Sequence, residues 1–226
     1  SHDEVVHGKC SMVNKMSGLY GQKFDSLRAF FMYKMAHPGK KLLFMGQEFG
    51  QQREWSEARE LDWFLLDTEL NVQLKDYVRT LWKMYSKYQC LHGTDYDPLG
   101  FEWINADDAD RSIYSFMRKS SDGKKNLLFV LNMTPLARPD YRCGVPVKTN
   151  YKLILNSMDP KFGGTAPISK KTYKAVEGEC DNRPYSIAYD LPAYGCAVFK
   201  FDYVEDKPKK AAKKTTKKKA AKKAEE

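Results

Sequence analysis

Apolar side chains at Phe24, Leu27, Phe30, Phe31 and Met35 recur at helical spacing, and Pro38-Gly39 ends the run; the pattern predicts a helix over 24–37. Leu42-Leu43-Phe44-Met45 then forms a short continuous apolar run closed by Gly46. Such a run suits a strand buried on both faces of a parallel sheet. The polar stretch from Gln47 to about Asp67 is a long loop rich in Glu, Arg, Gln and Trp. Long loops after parallel strands usually carry function. A second helix is expected where Leu74, Val78, Leu81, Trp82 and Tyr85 share one face, with Asp67 or Thr68 as its N-cap. Trp82 and Tyr85 read as core residues of that helix. Helix, buried strand and polar loop is the order of an α/β protein.

From about Asp95 the pattern changes. Short strands are expected at 101–104, 112–118, 127–132, 151–155 and 195–201, several of them β-branched or aromatic. Turn signals separate them at Asp122-Gly123, Pro135, Pro139 and Gly163-Gly164. This predicts a separate all-β domain ending near Tyr203. Beyond it, 207–226 is a Lys/Ala segment with too little apolar surface to fold alone, and is expected to be disordered.

Charge sharpens that division. The chain carries a net +9, but 207–226 holds ten Lys and two Glu, so the remaining 206 residues sum to only +1. The basic character belongs to the tail and does not describe a binding face. Lysine without interleaved aromatic or arginine residues gives only salt-sensitive, non-specific attraction to phosphate or acidic partners. Five scattered cysteines (10, 90, 143, 180 and 196), odd in number and without a Cys-x-x-Cys pair, fit reduced thiols in a cytoplasmic protein. No apolar run approaches the roughly 20 residues that span a bilayer.

Two segments carry candidate chemistry. The first is Ser1-His2-Asp3-Glu4-Val5-Val6-His7; a chain opening on His-Asp without an initiator Met is expected to belong to something longer. His2 and His7 are five residues apart, which separates them on a helix and places them on opposite faces of a strand, and argues against a metal site. An Asp beside a His at a strand end suits hydrogen bonding to sugar hydroxyls as positive charge develops at the reacting carbon; a purely structural His-Asp pair fits equally. The second segment is Gln47, Glu48, Gln51, Arg53, Glu54 and Trp55. It follows a buried strand, where the catalytic loops of (β/α)₈ barrels lie. Amides, a carboxylate, Arg and Trp suit a polyhydroxylated ligand, with Trp stacking on a sugar face; equally, Arg53 and Glu54 could be solvated and Trp55 could pack on the rim. His37, before Pro38, and His92, before Gly93, read as structural.

Taken together these segments resemble the glycogen branching enzymes of the α-amylase superfamily. Ser1-His2-Asp3-Glu4-Val5-Val6-His7-Gly8-Lys9 resembles the fourth signature region of that superfamily with its branching-enzyme extension. The run from Leu42 to Trp55, continued by Leu61-Asp62-Trp63, resembles the final barrel strand and its loop. Asp97-Pro98-Leu99-Gly100-Phe101-Glu102-Trp103 resembles the entry to the β domain. The resemblance implies a C-terminal fragment: the end of a (β/α)₈ TIM barrel over 1–94, a β-sandwich domain over 95–206, and the tail.

By the same resemblance, the activity is a retaining double displacement that cleaves an α-1,4 link and passes the segment to a glucose 6-hydroxyl, with no cofactor. Asp3 becomes the carboxylate that grips sugar hydroxyls in the transition state, with His2 beside it. Gln47, Glu48, Arg53 and Trp55 become substrate contacts, and the partner is an α-glucan. The nucleophile and general acid lie upstream of the fourth region in this family, and Glu48 is not assigned the acid's role. The Lys-rich tail departs from the family pattern. Another α-amylase-superfamily hydrolase, a carbohydrate-binding module built on the β domain, and a nucleic-acid-binding protein driven by the tail are the alternatives.

Overall fold

The computed structural model describes residues 2–168 and 170–203; the Lys-rich segment 207–226, expected to be disordered, lies outside them. Two helices come first, α1 (Tyr20–Ala36) and α2 (Glu69–Lys87). Nine strands follow: β1 (Phe101–Asp108), β2 (Ile113–Arg118), β3 (Asn126–Asn132), β4 (Arg138–Val145), β5 (Asn150–Asn156), β6 (Thr172–Lys174), β7 (Val176–Cys180), β8 (Arg183–Leu191) and β9 (Cys196–Phe201). All pairings are antiparallel. They build a six-stranded sheet in the order β1-β2-β3-β9-β5-β6 and a three-stranded sheet in the order β4-β8-β7.

The molecule is layered as helices, large sheet, small sheet. One face of the large sheet, carrying Phe116, Leu127, Phe129, Leu131, Leu155 and Val198, packs under α1 and α2. The other face, with Met117, Leu128, Val130, Leu153 and Phe199, packs on Cys143, Val145, Ile187 and Tyr189 of the small sheet. Strand β3 is therefore buried along its whole length, which is why its sequence, Leu127-Leu128-Phe129-Val130-Leu131, is unbroken by polar residues. Each fully buried Leu or Phe contributes roughly 1.5–3 kcal/mol by leaving water. At the other extreme, β7 has an exposed burial pattern and closes a hairpin on β8 through Asp181 and Asn182, both with positive φ (50° and 56°). That is the conformation a two-residue hairpin turn requires.

Five of the nine strands lie where the pattern placed them, and β4, β6, β7 and β8 were not foreseen. Both helices form as expected, with Thr68 as the N-cap of α2. Two expectations are corrected. Leu42–Met45 is not a strand: the segment is irregular, and Leu42 and Met45 are about half exposed (51% and 50%). A strand buried on both faces needs a hydrogen-bonded neighbour, and none of the nine described strands lies beside it. Trp82 is likewise partly exposed on α2 rather than core, packing edge-on against Tyr85 at 5.9 Å.

Two fully buried arginines join the helix layer to the sheet. Arg28 of α1 donates from Nε to the Ser157 carbonyl at 2.9 Å and pairs with Asp25. Burial pulls its pKa down, and the Asp25 charge opposes that. Arg118 of β2 donates to the carbonyl of Ala36, at the C-terminal end of α1, at 2.8 Å, and pairs with Asp95 at 2.5 Å. His37, just past α1, lies against the rings of Phe101 (5.2 Å) and Trp103 (6.0 Å). Desolvation, reinforced by the nearby Lys41 charge, holds its pKa below the ordinary histidine value.

Arg118→Met should destabilise the fold by about 3–5 kcal/mol, because it leaves the Asp95 carboxylate buried without a counter-charge. Urea unfolding measures this, and a loss below about 1 kcal/mol would remove the pair from its structural role.

Candidate functional site

Residues 2–10 and 44–62 are far apart in sequence and meet at one edge of the molecule. The Trp55 N–H donates to the Val5 carbonyl at 3.1 Å. The His2 ring lies 6.1 Å from Phe44, and Phe44 lies 5.2 Å edge-on from Trp55. His2 Nε2 is 3.4 Å from Asp3 Oδ1, and both side chains are exposed at this edge. Val5, the one residue of the first turn that is buried, anchors the segment.

The turn after Val5 bends sharply. His7, Gly8 and Cys10 all take positive φ (57°, 81° and 66°), a region costly for residues other than glycine. Glu54 holds it: its two carboxylate oxygens accept from Gly8 N at 2.9 Å and Cys10 N at 2.6 Å. These two backbone hydrogen bonds keep the Glu54 pKa below the usual carboxylate range. Glu54 is half-buried and belongs to the polar constellation of the sequence, but here it acts as a clasp between the two segments.

A short 3₁₀ turn at Gln47–Phe49 starts the second segment between Gly46 and Gly50, whose φ values are 86° and 72°. A side chain at Gly50 would stand 3.0 Å from Leu74 and 3.1 Å from Phe24, so the absence of a Cβ lets the loop lie against both helices. Asn71 of α2 secures it by donating to the Phe49 carbonyl at 2.7 Å. Gln47 is buried; its Oε1 accepts from Phe44 N at 3.3 Å, and its Nε2 has no acceptor among the described residues. Buried amide donors are rarely left so. Arg53 grips the buried Asp62 with two nitrogens, Nε lying 2.9 and 3.0 Å from the carboxylate oxygens. That hydrogen bonding holds the Asp62 carboxyl below its ordinary pKa. The Asp62 N–H donates to Gln51 Oε1 at 3.0 Å, closing the loop on itself. Glu48 is half-buried on the same turn.

His2, Asp3, Gln47, Arg53 and Trp55 thus share one edge, with Val5, Met12, Met45, Gln47, Arg53 and Trp55 around a shallow pocket that Glu48 does not line. Sequence reasoning placed Glu54 among the ligand-facing polar groups, or in solvent, and gave Asp62 no role of its own. Nothing in the pattern marks Glu54 as a clasp for backbone 46 residues away. Among the described residues, no group of three or more His, Cys, Asp or Glu side chains is placed to hold a metal ion, and no helix is long and apolar enough to cross a membrane.

Residues 103–202 match the family described as alpha amylase, C-terminal all-beta domain. Over 201 residues, 89% of its length, the chain is 56% identical to the 1,4-alpha-glucan branching enzyme GlgB of Butyrivibrio fibrisolvens, covering 32% of that protein. The chain is a relative of the bacterial 1,4-alpha-glucan branching enzymes. A second such enzyme, from Bacillus caldolyticus, is 44% identical over 200 residues, covering 88% of this chain and 30% of that protein. The chain therefore spans about a third of the length of the curated relatives it matches. Among solved structures, an alpha-amylase from H. orenii superposes with a TM-score of 0.54 at 17% identity, covering 88% of this chain and 38% of that one; this likeness concerns the fold alone.

Glu54→Ala should leave the sheets intact and free the first turn. The amides of Gly8 and Cys10 should exchange with solvent about tenfold faster, read by hydrogen exchange. Because the folded Glu54 pKa is depressed, the clasp is fully present above about pH 4.5 and is lost as pH falls through the depressed value. Unchanged exchange in the variant would show that other contacts hold the turn.

Proposed function

We propose that this chain is the C-terminal part of a 1,4-alpha-glucan branching enzyme, acting on an α-glucan such as glycogen or amylose. The observation that carries this reading is the 56% identity over 201 residues to an enzyme about three times as long. On this reading 1–94 completes a (β/α)₈ barrel, 95–206 is the β-sandwich domain, and the nucleophile and general acid come from chain preceding Ser1. The half-exposed apolar segment Leu42–Met45, irregular and without a strand partner among the described residues, is what a barrel strand becomes when its neighbours belong to the rest of the protein.

Catalysis follows the retaining double displacement. An upstream carboxylate forms the glycosyl-enzyme, an upstream acid protonates the leaving oxygen and then activates the acceptor, and the 6-hydroxyl of a second glucose replaces water. Asp3 accepts hydrogen bonds from sugar hydroxyls that become more acidic as the oxocarbenium ion forms, so its contribution grows towards the transition state. His2, 3.4 Å from Asp3 and against Phe44, orients it. Trp55 offers an aromatic face, and the unpaired Gln47 amide offers a donor. Arg53, fixed by Asp62, presents its remaining N–H groups in one orientation, and Glu48 accepts a hydrogen bond from a sugar hydroxyl. The basic segment 207–226 adds only weak, salt-sensitive attraction to anions. The parent is a cytoplasmic enzyme that needs no cofactor.

In the full-length parent, Asp3→Asn should lower kcat by about a hundredfold or more while changing the maltooligosaccharide Kd by no more than about threefold; His2→Ala should do the same more mildly. Near-normal turnover in Asp3→Asn would remove it from the mechanism. The 226-residue chain incubated alone with amylose should form no α-1,6 links by NMR; new branch points from pure material would refute the placement of nucleophile and acid upstream.

A further inference from the structure

Away from that edge, a cleft of about 520 Å³ opens between the C-terminal half of α2 and strand β5. Its volume falls within the roughly 300–1,000 Å³ of small-molecule sites. Five lysines, Lys83, Lys87, Lys152, Lys161 and Lys171, line it over a floor that includes Met84, Tyr88 and Ile154. Lys161 has a carboxylate partner, Asp159, at 3.6 Å; Lys83, Lys152 and Lys171 have none among the described residues. Composition does not explain the cluster, since residues 1–206 sum to only +1.

The sheet register adds a second, independent sign. Lys152 of β5 stands directly opposite Lys200 of β9. Cross-strand partners share a face with Cβ atoms about 5 Å apart, and like charges so placed destabilise a sheet. Lys152 therefore has a like charge as its cross-strand neighbour and shares the cleft with Lys83 and Lys171, an arrangement that an anion stabilises. A carboxylate brings one charge, whereas a phosphate monoester brings nearly two and three acceptor oxygens. The apolar floor beside the lysines favours a ligand with a body as well as a charge.

We propose that this cleft binds an organic phosphate, its phosphate held by Lys83, Lys152 and Lys171 and its body resting on Met84, Tyr88 and Ile154. Lysine ammonium groups bind phosphate as point charges, so binding weakens with salt. The site is separate from the proposed branching edge and does not depend on that reading.

Isothermal titration of the full chain at low salt with glucose 6-phosphate, inorganic phosphate and glucose tests it. Glucose 6-phosphate should bind about fivefold or more tighter than inorganic phosphate. The double variant Lys83→Gln/Lys152→Gln should weaken it about tenfold or more, whereas Lys213→Gln/Lys214→Gln in the tail should change it by less than about twofold. Without ligand, Lys152→Gln should raise the urea midpoint by relieving its repulsion with Lys200. Equal affinity for the two phosphates, absence of binding, or loss of binding in the tail variant instead would overturn the proposal. A lower urea midpoint in Lys152→Gln would remove the charge repulsion on which it rests.

Discussion

The large sheet has two apolar faces, and both must be covered. The small sheet covers one; α1 and α2 cover the other, and this second contact governs the rest of the molecule. Phe116 and Phe129 stack at 5.3 Å beneath the helices, so the helix layer and the strands share one core across residue 94. Arg28 and Arg118 fix the relative position of these layers, because a buried guanidinium tolerates only a geometry that keeps its charge paired, here with Asp25 and Asp95. Apolar packing alone would allow the helices to slide; the two arginines end on particular carbonyls, Ser157 and Ala36, and set the register.

The candidate edge inherits its geometry from that layer. Gly50 sits against Phe24 of α1 and Leu74 of α2, so the loop that presents Gln47 to Trp55 is referenced to the same helices that lie on the sheet. From there the order passes outward through Glu54 to the strained turn at 7–10 and so to His2 and Asp3. Contacts thin along this path, from fully buried Phe24 to exposed Asp3. On the proposed function, the exposed end is where the remainder of a barrel would meet it, and the preorganisation of Asp3 would come in part from that remainder.

Periodicity identified both helices and the strands β2, β3, β5 and β9, because those elements bury a regular stripe or a continuous run, and the aromatic and β-branched residues Phe101, Trp103 and Ile104 marked β1, which has one buried residue. It did not find β4, β6, β7 and β8. The burial of β4 is irregular, β7 is exposed along nearly all its length, β6 is three residues long, and register shifts interrupt the pairing of β4 and β7 with β8. The same rule that identified β3 misread Leu42–Met45, since a run of four apolar residues carries no information about whether neighbouring strands exist to pair with it. Here the described residues supply none, and the backbone is left irregular.

For the site, the residue types and their order suggested which segments matter: His2-Asp3 and the stretch from Gln47 to Trp55 stand out as polar and aromatic groups flanking apolar runs. Their meeting at one edge, the clasp of Glu54 on Gly8 and Cys10, the engagement of Arg53 by Asp62 and the placement of Lys152 opposite Lys200 were decided by the tertiary structure. The physical reason is range. Propensity, turn chemistry and burial period act over a few residues and are written locally in the sequence. A hydrogen bond or a charge contact between residues tens of positions apart depends on where the packed layers bring the backbone, and no local pattern encodes that placement.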